Sequence, residues 1–159
     1  NGGVHQYFGQ ERGKGFSELL RGRCSFNEAV RRRVLPNVDV ITTGTLPRNP
    51  AELLLSARTG ELLQEWSQNY DMVVLDPPSL ANNTAQRRRA QRAYMRLNRD
   101  ALRLVEPGGL LVTSSCTAQV APEQFREVVA EAARAAGVDV QVLADQGHAL
   151  DHPVPLAFP

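Results

Sequence analysis

Cysteine and long apolar runs are both scarce in this 159-residue sequence. Its two cysteines, Cys24 and Cys116, lie far apart, and neither belongs to a Cys-x-x-Cys pair or has a histidine at metal-ligand spacing. We therefore expect no disulfide framework and no metal site, and a reduced cytoplasmic protein is the simplest expectation. No apolar run approaches the roughly 18 residues of a membrane-spanning helix. We therefore predict no membrane span. There is no signal-peptide pattern either.

The sequence also lacks an excess of either charge, since its net charge is only +1. Positive charge is instead concentrated locally, in arginine triplets at residues 31–33 and 87–89 and in the arginines that follow the second triplet. Such a cluster can contact the phosphates of a nucleic acid. It can also be the solvated face of a helix, where ion pairs contribute little. Both interpretations of the second cluster stay open.

Helical and strand patterns alternate along the chain. Leucines recur at helical spacing in residues 51–69, while residues 38–42 form a short β-branched run. Ser25 followed by Glu28 predicts a capping box at a helix start, and Gly137 predicts a helix end. The predicted helices cover residues 16–20, 25–33, 51–69, about 85–105 and 122–136, and the predicted strands cover 38–42, 72–75, 110–114 and 138–143.

This alternation predicts an α/β fold with an open, mainly parallel sheet and helices on both faces. The expected architecture is a Rossmann-like three-layer sandwich, built as a single domain over residues 1–159. The continuous apolar run at 72–75 is typical of a strand buried on both faces. Ligands of such sheets bind beyond the carboxyl ends of the strands. The segments expected at this rim are 44–49, 76–84, 115–120 and 145–148.

Two positions at the expected rim have side chains suited to chemistry. Asp76-Pro77-Pro78 directly follows the apolar run, and its prolines hold the backbone extended with two N–H donors missing. This suits a loop whose carboxylate and carbonyl groups face a ligand, although a plain strand-ending turn is the alternative. Cys116 is a candidate nucleophile at the end of another strand. A lone cysteine can also be simply a small buried hydrophobe.

Four segments between residues 70 and 159 carry a family resemblance. They are YDMVVLDPPSLANN, LNRDALRLVEPGGLLVTSSCT, PEQFREVVAEAARAAGVDVQVL and GHALDHPVPLAFP. This part of the chain resembles the catalytic domain of the large-subunit ribosomal RNA cytosine methyltransferases that use S-adenosylmethionine. The resemblance implies that Asp76 helps to hold the target base and that Cys116 attacks its carbon 6.

The residue types agree with this chemistry. Carbon 5 of cytosine is a poor nucleophile until a thiolate adds to carbon 6, after which it can accept a methyl group. The base would be flipped out of its stack to reach the rim. On this resemblance, Asp76, Pro77 and Pro78 are candidate cofactor contacts. RNA is the expected partner, with Arg87, Arg88 and Arg92 as the candidate substrate contacts.

A second resemblance covers residues 5–75. The stretches HQYFGQERGKGFSELLRGRCSFNEAV and LPNVDVITTGTLPRNPAELLLSAR are similar to the bacterial tyrosine kinases of capsule and exopolysaccharide export. In that family the position of Asp76 helps to organise magnesium and ATP, so Mg-ATP is the alternative ligand. The kinase family usually has an extra residue between this aspartate and the prolines, whereas Pro77 directly follows Asp76 here, as in the methyltransferases. We infer a hybrid whose kinase-like residues 1–70 and methyltransferase-like residues 71–159 meet at one strand.

The sequence lacks the cofactor-binding motif of both families that it resembles. A phosphate-binding loop needs G-x-x-x-x-G-K-[ST] after a strand, but the stretch from Gly9 to Gly15 has too short a spacing and no hydroxyl after Lys14. The glycine-rich turn of a class I methyltransferase is missing too, and Gly44-Thr45 is a poor substitute.

Three functions therefore stay open. The chain could be a methyltransferase-like domain or fragment that is inactive alone. It could be an ATP-binding kinase module without its phosphate loop, or an inactive α/β scaffold. A truncated sheet with exposed edges also predicts self-association.

Overall fold

The chain is a mixture of helices and short strands, as the alternating pattern predicts. The computed structural model describes residues 6, 8–9, 11, 13–69, 72, 74–77, 79–81 and 83–147. Within these residues no helix is long and apolar enough to cross a membrane. The helices are α1 (Phe16–Leu20), α2 (Phe26–Ala29), α3 (Pro50–Leu54), α4 (Ala57–Ser67), α5 (Arg87–Leu102) and α6 (Pro122–Ala136), and the strands are β1 (Val30–Leu35), β2 (Val38–Ile41), β3 (Val74–Leu75) and β4 (Val112–Thr113).

Helix α2 begins as predicted but is shorter than predicted. The Glu28 carboxylate accepts a hydrogen bond of 2.9 Å from the backbone N–H of Ser25, which confirms the capping box. The predicted helix over residues 25–33 is wrong after Ala29, because the chain turns into β1 at Val30. The first arginine triplet therefore lies on a strand.

Strands β1 and β2 form an antiparallel hairpin. Asp39 holds its two strands together, since it accepts hydrogen bonds from the Arg32 side chain at 3.2 Å and from the Arg33 backbone N–H at 2.7 Å. The turn contains Asn37 with φ 59°, a left-handed conformation that asparagine adopts more readily than most residues. These contacts across the hairpin favour a strand over the predicted helix.

The predicted helix over residues 51–69 is two helices, α3 and α4, with a break at Leu55 and Ser56. Asn49 caps α3 by accepting a hydrogen bond from the Glu52 backbone N–H. At the break, the Leu55 carbonyl accepts a hydrogen bond of 2.6 Å from Arg96 of α5. This contact stabilises the end of α3 from another element, which helical periodicity in the sequence could not indicate.

The C-terminal half contains a strand–helix–strand unit, β3–α5–β4. The strands are parallel, with Val74 paired with Val112 and Leu75 paired with Thr113. Leu75 packs on Leu97 of α5 in one core cluster, and α5 packs in turn along α6. Helix α6 spans residues 122–136 as predicted and ends at Gly137, whose φ of 75° suits glycine.

The predicted three-layer sandwich is not seen in the described residues. They form two separate sheets of two strands each, one antiparallel and one parallel. The prediction that residues 72–75 are buried on both faces is wrong, since Val74 is 59% exposed. Helices α4 and α5 cover only the face that carries Leu75.

The predicted strand over residues 138–143 is also wrong. This segment pairs with neither sheet, and Val142 and Leu143 are 74% and 75% exposed. Asp145 forms an ion pair with Arg126 of α6, which ties the segment to that helix. A strand needs a neighbour for its backbone hydrogen bonds, and the described residues offer it none.

The largest core cluster combines both halves of the chain. Leu19, Leu54 and Leu62 come from the N-terminal half, while Tyr94 and Val128 come from α5 and α6. Each large apolar side chain buried in this way stabilises the fold by roughly 1.5–3 kcal/mol. The N-terminal helices therefore pack directly on the helices that flank the candidate site.

Candidate functional site

The candidate site forms where the carboxyl ends of β3 and β4 meet. Because Leu75 is paired with Thr113 in parallel register, the next residues, Asp76 and Ser114, emerge side by side. The Ser114 hydroxyl donates a hydrogen bond of 2.6 Å to Oδ1 of Asp76. Asp76 is exposed, so Ser114 holds its carboxylate at the surface of the rim.

A further hydrogen bond joins the acidic loop, residues 76–81, to the cysteine loop, residues 114–117, and another lies within the acidic loop itself. The carbonyl oxygen of Ala81 accepts from the Thr117 hydroxyl at 2.7 Å and from the Ser79 hydroxyl at 3.1 Å. Thr117 is buried, which makes its bond to the acidic loop harder to replace by water. Pro77 is buried as well, whereas Pro78 lies outside the described residues.

Cys116 is exposed at this rim. Its thiol donates to the carbonyl oxygen of Pro77 across an Sγ–O distance of 3.5 Å. Although the residue as a whole is exposed, partial burial of the thiol, followed by the nearby Asp76 carboxylate, raises the pKa of Cys116. Cys116 is therefore not the small buried hydrophobe of the alternative interpretation. It is a protonated thiol at neutral pH, and it shares the rim with Asp76.

Tyr94 lies beneath the cysteine loop, and the sequence pattern did not single it out. Its side chain is completely buried on α5, and its hydroxyl accepts a hydrogen bond of 3.1 Å from the Ser115 hydroxyl. Burial raises the pKa of Tyr94 to about 12. Tyr94 lies on the helix face of Ala90 and Leu97, so periodicity could have placed it in the core. Periodicity could not have identified Ser115 as its partner.

The candidate substrate arginines lie in the first two turns of α5. Arg87 is half-buried, whereas Arg88 and Arg92 are exposed one turn apart on α5. Arg88 and Arg92 line a cleft between α5 and α6 together with Glu127 and Glu131, and neither Asp76 nor Cys116 lines it. The two glutamates reduce the positive potential of this cleft.

Other arginines of the second cluster are paired within the chain. Arg89 contacts Glu52 at 2.9 Å, and Arg99 contacts Asp100 at 2.5 Å. Arg96 approaches Asp100 at 3.8 Å in addition to its bond to Leu55. These pairings show that part of the cluster serves contacts within the fold.

The turn after β2, weighed above as a substitute for a glycine-rich cofactor turn, is occupied by a carboxylate. Gly44 has φ 73°, and a Cβ there would lie 1.9 Å from Oε2 of Glu18. The Glu18 carboxylate accepts from the backbone N–H groups of Gly15 at 3.0 Å and Thr45 at 3.3 Å. Burial opposes its ionisation, but hydrogen bonds from Thr45 and Gly15 lower the pKa of Glu18 overall. A phosphate or an amino-acid carboxylate would therefore meet a negative charge here.

Among the residues that the structure describes, no group of three or more histidine, cysteine, aspartate or glutamate side chains is placed to hold a metal ion. The described residues thus offer a thiol and a carboxylate at one rim. The Gly44 turn offers no cradle for a phosphate or a carboxylate, because the Glu18 carboxylate accepts its backbone N–H groups.

Part of the chain is similar to proteins named ribosomal RNA large subunit methyltransferase I. The relative from Shewanella amazonensis is 42% identical over 92 residues, which cover 58% of this chain and 23% of that protein. The relative from Tolumonas auensis is 40% identical over 102 residues, which cover 62% of this chain and 26% of that protein. The chain therefore has an RNA methyltransferase-like segment, and it spans about a quarter of the length of these relatives.

Part of the chain is similar to a protein of a different kind. A protein of Ralstonia solanacearum named as a candidate tyrosine-protein kinase, EpsB, is 47% identical over 81 residues, which cover 50% of this chain and 11% of that protein. No protein-family model matches the chain. Because matches over 50% and 58% of the chain exceed its length together, the two kinds of relative share some of its residues.

Proposed function

We propose that this chain carries the base-binding and nucleophilic part of an RNA cytosine-C5 methyltransferase site. The observation that carries the proposal is the β3–α5–β4 unit, in which Asp76 and Cys116 follow neighbouring parallel strands and the Cys116 thiol contacts the Pro77 carbonyl. The similarity to ribosomal RNA large subunit methyltransferases supports the same assignment. Ribosomal RNA is accordingly the proposed substrate class.

In this proposal Cys116 is the nucleophile. Its thiol gives its proton to water or hydroxide, the sulfur forms a bond to carbon 6 of the cytosine as the C5–C6 π bond breaks, and that electron pair moves to carbon 5. Asp76 holds the base at the rim, with Ser114 fixing the position of its carboxylate. Because the thiol is protonated at rest, a base must accept its proton as the sulfur approaches the ring.

Contacts to the RNA backbone are assigned to Arg88 and Arg92, the exposed members of the predicted substrate set. Half-buried Arg87 would support them from the first turn of the same helix. Phosphate contacts of this kind contribute a salt-dependent part of the affinity. The glutamates of the same cleft make this contribution smaller than the arginine count indicates.

S-adenosylmethionine is the methyl donor that the family resemblance implies, with Asp76, Pro77 and Pro78 near it. The charged turn at Gly44 and Glu18 does not fit this molecule. We therefore assign no methyl-transfer step to this chain alone. Its proposed activity is to bind the base and form the thiol adduct, as a fragment that is inactive in methylation by itself.

The hybrid origin is part of the same proposal. Kinase-like and methyltransferase-like similarities overlap within the chain, and both families would place an aspartate at the end of β3.

An Mg-ATP module is the second candidate function, supported by the 47% identity to the kinase relative. It lacks a phosphate loop, and an inactive α/β scaffold is the third candidate. Self-association through exposed sheet edges also belongs to the proposal.

Adduct formation can be tested without any methyl donor. RNA that contains 5-azacytidine has a more electrophilic carbon 6, and its ring nitrogen 5 can take the proton that the thiol releases. We expect the full chain to form a covalent adduct with this RNA, detected as a mass increase in intact-protein mass spectrometry. Cys116→Ala should abolish the adduct.

Cys24→Ala is the matched control, because it removes the chain's other free cysteine and leaves the rim unchanged. This variant should react like the wild-type chain. An adduct that persists in Cys116→Ala, or no adduct at all in a folded wild-type chain, would contradict the proposed nucleophile.

A further inference from the structure

Tyr94 is fixed in place by the two long helices. Its ring is completely buried on α5 and packs edge-on against Phe125 of α6, with ring centroids 5.2 Å apart and an interplanar angle of 83°. Such a T-shaped pair favours one orientation of the ring. The phenolic oxygen therefore has a defined position at the boundary between the core and the rim.

Three consecutive residues of the cysteine loop each make a different hydrogen bond. Ser114 donates to Asp76, Ser115 donates to Tyr94, and Cys116 donates to the Pro77 carbonyl. The first and third bonds reach the acidic loop, whereas the middle one reaches the core. The cysteine loop is thus attached on two sides.

The bond on the core side is the more durable attachment. Asp76 is exposed, so water competes for its bond to Ser114. The Tyr94 hydroxyl is buried, so its loss would leave Ser115 without its partner in the core. Since the pKa of Tyr94 is raised to about 12, the phenol stays protonated across the neutral range.

We propose that Tyr94 is a positioning residue that acts through Ser115 to orient the Cys116 thiol against the Pro77 carbonyl. Its importance for catalysis rests on the function proposed above, but its effect on the thiol does not. A Tyr94 that only fills the core would influence stability and leave the reactivity of Cys116 unchanged.

The test measures the alkylation of Cys116 by iodoacetamide as a function of pH, in the full chain with Cys24→Ser as background. Tyr94→Phe removes only the hydroxyl, and Ser115→Ala removes the same bond from the loop side. We expect both variants to shift the midpoint of the rate–pH profile toward that of an ordinary cysteine, because a released thiol becomes better solvated. A shift of about half a unit would raise the rate at pH 7 about threefold.

The double variant should shift the profile no further than either single variant, since all three lack the same bond. Phe125→Leu is the matched control, because it disturbs the packing of the Tyr94 ring and keeps the hydroxyl. It should lower stability and leave the profile in place. An unchanged profile in folded Tyr94→Phe and Ser115→Ala chains would overturn the positioning role.

The alkylation and azacytidine experiments fail independently. A shifted alkylation profile without an RNA adduct would retain the positioning role and reject the proposed function. An RNA adduct with an unshifted profile would retain the proposed function and reject the positioning role.

Discussion

The thiol of Cys116 lies in surroundings that oppose its ionisation. Partial burial and then the Asp76 carboxylate raise its pKa, whereas reactive cysteines usually have a positive group nearby. The same carboxylate that would hold the base thus disfavours the thiolate before the base arrives. Adduct formation would then be slow at neutral pH and would accelerate as the pH rises toward the pKa of Cys116.

Neutralising Asp76 should make the thiol more acidic. We expect Asp76→Asn to lower the pKa of Cys116 without restoring its ordinary value, because burial of the thiol remains. A decrease of about half a unit would increase iodoacetamide alkylation at pH 7 about threefold, since more thiolate is present. The rate would be measured with Cys24→Ser as background.

Asp100→Asn provides the control for this substitution, because Asp100 pairs with Arg99 and has no bond to either loop. Its alkylation rate should match the background chain. An Asp76→Asn chain that reacts at the same rate or more slowly would show that the carboxylate does not influence the thiol.

At the scale of elements, the β3–β4 sheet is covered on one side only. Val74 and Val112 are directly paired, and they are 59% and 47% exposed. Met72 and Leu110, two positions before them, are also more than half exposed. Parallel pairing places Val74 and Val112 on the same face of the sheet, which gives a small apolar surface opposite the helices. Such a surface promotes association between copies of a chain.

Polar substitutions on this face should reduce self-association. We expect the wild-type chain to show a concentration-dependent rise in mass by light scattering, and the double variant Val74→Thr and Val112→Thr to diminish it. Threonine keeps the β-branched shape that suits a strand. Val142→Thr is the control, because Val142 is 74% exposed but belongs to neither sheet. A wild-type chain that stays monomeric at every concentration would contradict this expectation.

At the scale of the whole molecule, the N-terminal and C-terminal halves of the chain share one core. Leu62 of α4 and Tyr94 of α5 belong to the same cluster, and Arg89 of α5 pairs with Glu52 of α3. The N-terminal segment therefore supports the helix that carries Tyr94. Its own turn at Gly44 is closed by Glu18. The two halves of the chain thus pack together, while the Gly44 turn is filled by the Glu18 carboxylate.

Ligand-induced stabilisation would separate the candidate functions. A ligand that binds only the folded state raises the melting temperature, by an amount set by its concentration relative to its Kd. We expect no shift with S-adenosylmethionine, its demethylated product or Mg-ATP, measured by thermal-shift scanning of the full chain. Micromolar affinity for S-adenosylmethionine would contradict the absence of a cofactor cradle. Micromolar affinity for Mg-ATP would favour the kinase-like function.

Local signals in the sequence determined several features by themselves. The Ser25–Glu28 capping box and the bounds of α6 (Pro122–Ala136), which Gly137 follows, depend on residues a few positions apart. The meeting of Asp76 with the cysteine loop was also predictable, because the carboxyl ends of parallel strands lie at one edge of a sheet. Such features depend on short-range hydrogen bonds and on strand geometry.

Only the tertiary structure decided the rest. Asp39 bonds to Arg32 across the hairpin that contains the first arginine triplet. Arg96 bonds to the Leu55 carbonyl at the break after α3, and Ser115 pairs with the buried Tyr94. Each of these contacts joins residues from different elements, so no local pattern contains it. The exposure of Val74 has the same origin, since burial depends on which elements cover a strand. The sequence by itself determined the reactive side chains of the rim, and long-range packing decided how they are held.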